Sequence, residues 1–119
     1  MNLAEVTRAF GLADDSAIYR SIDSVEASVI ATRVLHADLA YNSEIMSMSD
    51  ATGLWSQFAA LFDGQNVEFV TNVGTEFGSW IAGTATAFTF ASATAATFDI
   101  GILIIGATKA GCLWVEDED

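Results

Sequence analysis

Residues 77–115 constrain this chain most. They read FGSWIAGTATAFTFASATAATFDIGILIIGATKAGCLWV, and their only charges are Asp99 and Lys109. So apolar a run must be covered, by a packed sheet, by neighbouring subunits or by a bilayer. Its fine pattern favours strands. Thr84, Thr86, Phe88 and Phe90 alternate with Ala85, Ala87, Thr89 and Ala91, a period of two that suits a pleated backbone. Residues 94–98 partly echo 84–88, as two paired strands would, with a turn at 91–93. Phe98, Ile100, Ile102 and Ile104 then share one face, and Gly101, Leu103 and Ile105 share the other. A strand apolar on both sides is central or covered twice. Residues 108–111 read as a turn, and 112–116 as a strand pairing back.

The alternative for this half is a helical hairpin in a membrane. Residues 77–98 are about long enough, since a span needs about 20 residues. Against it stand the Ala, Thr, Ser and Gly content, the period of two, and borders without Lys or Arg to set a topology.

Ahead of this run the period is helical. Asn2 caps a first helix, with Glu5 as its capping-box partner and Gly11 at its C-terminal end. Asp14 and Asp15 open a second helix, whose stripe is Ile18, Ile22, Val25 and Val29, drifting to Ile30, Val34 and Ala37. Asp50 or Thr52 opens a third, with Leu54, Trp55, Phe58, Leu61 and Phe62 as its apolar face and Gly64 as its stop. Near residue 66 the period becomes two: Val67, Phe69 and Val73 alternate with Glu68, Val70 and Asn72. Residues 75–82 continue as strand, with a break or bulge at Gly83. The expected fold class is therefore α+β, with N-terminal amphipathic helices followed by a C-terminal antiparallel sheet. The expected organisation is one domain over residues 1–119, mainly helical to 64 and mainly β from 65.

Charge excludes one class of partner. Four Lys and Arg against sixteen Asp and Glu give a net charge of -12, which opposes contact with phosphate backbones. Direct nucleic-acid binding is not expected. The opening MNLAEVTRAF has no basic region followed by an apolar one, so synthesis in the cytoplasm without a secretory signal is the expectation.

Candidate chemical motifs fare poorly. Gly101 and Gly106 have the spacing that opens a phosphate loop, but Ala107 and Thr108 stand where Lys and Ser/Thr are required. Cys112 and His36 are the one thiol and the one imidazole, with no local third group to orient them. Asp63, Gln65 and Glu68 fail the calcium-loop pattern, because Val67 fills the fifth place and Glu68 the sixth. Asp14 and Asp15 read as capping residues rather than a catalytic pair. Trp55, Trp80 and Trp114 could line a pocket, but Trp more often sits in cores and interfaces. No catalytic residue, metal, cofactor or small-molecule substrate is expected.

What remains is more apolar strand surface than the helices obviously cover. The expected function is a non-enzymatic structural subunit of a repetitive assembly, such as a virus or phage capsid, decoration or tail protein. Its partners would be copies of itself and other particle proteins. Trp80, Phe88, Phe90, Phe98, Ile100, Ile102, Ile104 and Trp114 are the expected self-association residues. The acidic tail, residues 116–119, would limit edge-to-edge strand association. Two other classes stay open: a small acidic decoy of nucleic acid, and a membrane-associated module binding a small ligand.

Overall fold

Strand β3, Phe98–Ile105, is the element on which the fold is built. The computed structural model describes residues 1–64 and 66–118. In it the chain runs α1 (Leu3–Ala9), β1 (Arg20–Ile22), α2 (Ser24–His36), α3 (Met48–Ala60), β2 (Glu68–Thr71), α4 (Phe77–Ile81), β3 and β4 (Ala110–Asp117). The strands form one antiparallel sheet in the order β1-β2-β3-β4. The class is α+β.

The two faces of β3 behave as their side chains dictate. Ile100, Ile102 and Ile104 point to a core shared with Ala27, Ile30, Ala31 and Val34 of α2 and Trp55 of α3. Leu103 and Ile105 point to the opposite face, where they lie beside Val70 of β2 and pack with Val6 of α1 and Leu12. Each large side chain so enclosed stabilises by roughly 1.5–3 kcal/mol. The strand is covered on both faces, as its composition requires.

Local signals explain the helix ends. The Asn2 side chain accepts from the Glu5 N–H at 2.9 Å, and its amide donates to Glu5 Oε1 at 2.9 Å. Glu5 thus meets the cap's side chain rather than its backbone. Gly11 follows α1 with φ +72°, a left-handed conformation that suits glycine. Ser47 caps α3 through the Asp50 N–H, and Gly64 lies beyond it at φ +79°.

Several expectations are corrected. Residues 14–36 are not one helix. Asp15 caps a single 3-10 turn at Ser16–Ile18, β1 follows in extended backbone, and Asp23 caps α2 by accepting from the Glu26 N–H at 2.7 Å. The stripe through Ile18, Ile22, Val25 and Val29 therefore breaks at Asp23. Val25 is 71% exposed, and the buried face is Ala27, Ile30, Ala31 and Val34. On α3, Leu54 lies outward, as does Leu61 just beyond the helix end. The turn after β3 sits at residues 106–109, where the Gly106 N–H donates to Lys109 O at 2.9 Å. Ala110 and Gly111 already belong to β4.

Residues 75–97 do not form paired strands. Residues 77–81 form α4, and 82–97 are irregular apart from one bridge, Val73 to Phe90. The physical reason is occupancy: β2 already has β1 on one edge and β3 on the other. The backbone of this segment is satisfied piecemeal, by Gly74 N–H to Thr89 O at 2.7 Å and Ala91 N–H to Asn72 O at 3.0 Å. The helical-hairpin alternative also falls, since residues 98–105 and 110–117 are strands and no helix among the described residues is long and apolar enough to cross a membrane.

Candidate functional site

The eight residues expected to mediate self-association fall into three groups. Ile100, Ile102 and Ile104 are wholly buried in the chain's own core. For these three the expectation is corrected: α2 and α3 already cover them, so they offer a neighbour nothing. Trp80, Phe88, Phe90 and Phe98 form a half-buried row of rings with Phe77, joined at centroid distances of 4.6–6.4 Å. The Arg33 guanidinium lies 4.9 Å from the Trp80 ring and donates to Ala37 O and Asn42 Oδ1. Stacked rings of this kind hold the irregular segment against the helical layer. Trp114 lies on the other face, edge-on to Tyr19 at 6.3 Å.

Asp99 is the residue that sequence reasoning passed over. It is fully buried, and its carboxylate accepts from five donors. These are the Ala93 N–H (2.9 Å), Thr94 N–H (3.3 Å), Thr94 hydroxyl (3.1 Å), Asn72 Nδ2 (3.2 Å) and Trp114 Nε1 (3.2 Å). Asn72 completes the node, donating to Ala91 O and Asp99 O while accepting from the Gly101 N–H. The signal was present: a single acid inside a long apolar run must find donors when it is buried. The node joins β2, β3, β4 and the segment at 91–94. Through these five donors the carboxylate clamps the segments together.

The other candidates are placed apart. Cys112 packs on the α1 face of β4, and burial pushes its thiol up to about 11. His36, at the end of α2, holds Met46 O through Nδ1 at 2.7 Å. No nucleophilic pair arises from them. Tyr19, beside Cys112 in the same cluster, is raised to about 12, first by burial and then by the nearby Asp99 charge. Trp55 packs with Phe58 and Phe69, so the three Trp residues line no common pocket. Gly101 and Gly106 belong to a strand and its hairpin turn, not to a loop opening a helix. Asp14 pairs with Arg8 at 3.1 Å. Gln65 and Asp119 lie outside the described residues, which removes one member each from the suggested calcium set and the acidic tail. Glu68 accepts from the Ser21 hydroxyl, Asp117 from the Leu39 N–H at 2.8 Å, and Glu118 from Thr97. Among the described residues no group of three His, Cys, Asp or Glu could hold a metal ion.

Two surface features stand out among the described residues. One is a set of exposed apolar side chains on the helical layer. Val25 and Val29 of α2, Met48 and Leu54 of α3, and the flanking Ile45 and Leu61 are all 40–71% exposed. The other is the sheet edge at β4, where the order of strands ends and no isolated bridge adds to it. In comparisons with known proteins, no family model, no curated protein and no solved structure matched this chain.

Proposed function

We propose that this chain is a non-enzymatic structural subunit that assembles with copies of itself, and more narrowly a component of a virus or phage particle such as a capsid, decoration or tail protein. The observation that carries the reading is the exposed apolar side chains of the helical layer, Val25 at 71%, Leu61 at 60% and Leu54 at 48% among them. Val25 and Val29 lie one turn apart on α2, and with the exposed apolar groups on α3 and the flanks they are the apolar area this reading would cover. The net charge of -12 keeps free subunits apart at low salt, and salt screens it. Assembly is thus expected to strengthen as ionic strength rises.

Electron microscopy of concentrated protein at about 0.5 M salt, where the Debye length is only a few Å, tests the reading. Ordered arrays, closed shells or filaments support it. Isolated particles no larger than the monomer's 37 × 29 × 22 Å, at every concentration and salt, overturn it. Particle class is tested separately, by whether shells or tubes rather than small closed oligomers form.

A further inference from the structure

The sheet has two edges, and they differ. β1 is three residues long, and short edge strands resist pairing. β4 runs for eight residues, Ala110–Asp117, in unbroken register with β3 and with neither proline nor charge from Ala110 to Val115. Long, regular, apolar edges of this kind are templates for another strand. Cys112, Leu113, Trp114 and Val115 are only half-buried, whereas their partners on β3 are fully enclosed.

The geometry identifies which backbone groups face outward. Antiparallel partners alternate between hydrogen-bonded and non-bonded pairs. The Gly106 N–H donates to Lys109 O, so the bonded pairs continue as Ile104 with Gly111, Ile102 with Leu113 and Ile100 with Val115. Gly101 agrees independently. Its N–H goes to Asn72 Oδ1 and its C=O accepts from the Thr71 hydroxyl, both on the β2 side and away from β4. Ala110, Cys112, Trp114 and Glu116 therefore direct their N–H and C=O groups away from the sheet.

We propose that this edge pairs with the β4 edge of a second copy, antiparallel about a two-fold axis at Leu113, joining two sheets into one. The inference rests on the self-assembly reading above and names its contact. Charge selects the direction. The acids of β4 lie at its C-terminal end, at Glu116 and Asp117, and Lys109 stands just before its N-terminal end. Parallel pairing would stack acid on acid. Antiparallel pairing about Leu113 sets Ala110 opposite the second copy's Glu116, and Cys112 opposite its Trp114. The two Glu116 side chains then stand about 20 Å apart at about 3.4 Å per residue, beyond the ~8 Å Debye length at physiological salt. Lys109 comes opposite Asp117 of the second copy, on the same face of the joined sheet. Four outward residues on each strand give about eight interchain hydrogen bonds, two for each bonded pair. The interface is isologous, as a two-fold contact requires. The acidic end thus does not block the edge; it rejects the parallel arrangement.

Residue-resolved amide exchange on the unmodified protein, below and above the concentration at which its mass increases, tests this. The expected result is a rise of about tenfold or more in protection, confined in β4 to Ala110, Cys112, Trp114 and Glu116 and sparing Leu113 and Val115, which are already bonded to β3. A mass increase with no change at those four amides overturns the edge contact and leaves the assembly reading standing. No mass increase at any concentration overturns both. A second check is Cys112→Pro, which removes an outward N–H without touching the β3 ladder. Loss of the two-fold contact in a folded variant supports the proposal, and an unchanged mass overturns it. If that variant fails to fold, the exchange result decides alone.

Discussion

Replacing Asp99 probes the clamp that links three strands to the irregular segment. In Asp99→Ala five donors lose their acceptor. Asn72 Nδ2 keeps Ala91 O and Asp99 O, and the Thr94 hydroxyl can turn elsewhere. The Thr94 N–H is only partly buried. That leaves the buried Ala93 N–H and the part-buried Trp114 Nε1 without partners. Each buried orphan donor costs about 1–3 kcal/mol, so a loss of about 2–5 kcal/mol is expected. At roughly 4 °C per kcal/mol for a chain of this size, the midpoint should fall by about 8–20 °C. Asp99→Asn should cost less, about 1–2 kcal/mol, because one oxygen can still serve Ala93 and Trp114 while the Thr94 hydroxyl accepts from the new amide. Urea denaturation of the three proteins, followed by Trp fluorescence, measures the differences. The order wild type, Asn, Ala is expected. An Ala variant within about 0.5 kcal/mol of wild type, the range of ordinary surface changes, would refute the clamp.

Four further outcomes are expected. Gly101→Ala should destabilise by about 1–3 kcal/mol in the same denaturation assay, because its Cβ would lie 2.2 Å from Trp114 Cε3 and 2.4 Å from the Leu113 carbonyl oxygen. Gly53→Ala, with open space in the middle of α3, should stabilise by about 0.5–1 kcal/mol. The Cys112 thiol, pushed up to about 11 from 9 by burial, should hold roughly a hundredth of the usual thiolate at pH 8 and react correspondingly slowly with a disulfide reagent until the protein is unfolded. Tyr19, raised to about 12, should ionise late in an absorbance titration. Its folded state holds the proton more tightly than the unfolded chain, so its contribution to stability is complete below pH 10 and is lost as pH rises from 10 to about 12.

The parts legible in the sequence were those where one local signal met no competitor. The two-faced apolar pattern of residues 98–105 left β3 no option but burial on both sides, and the Asn2 cap and Gly11 stop bracket α1. Elsewhere competing signals were equally good on local grounds. Asp14, Asp15 and Asp23 can each cap a helix, and the Ile18–Ile22–Val25 spacing tolerates either a helix or a break, so tertiary pairing of β1 with β2 decided. The Thr/Phe alternation of residues 84–90 is a strand pattern that found no free edge on β2. Its rings still turn to one side, which is what the period required, but they pack on each other instead of on a sheet. The self-association set failed at Ile100, Ile102 and Ile104 for a related reason. Periodicity shows that a face is apolar, not whether α2 or another chain covers it. Asp99 was visible as a lone acid, yet its donors come from residues 72, 93, 94 and 114, which only the fold brings together.

The claim that this chain covers its remaining apolar exterior with copies of itself is tested most directly by its mass in solution. Sedimentation equilibrium from low to high micromolar concentration should reveal a discrete species at a multiple of 12.6 kDa, more populated as salt rises. A 12.6 kDa particle that persists unchanged across that range and at every ionic strength would contradict it.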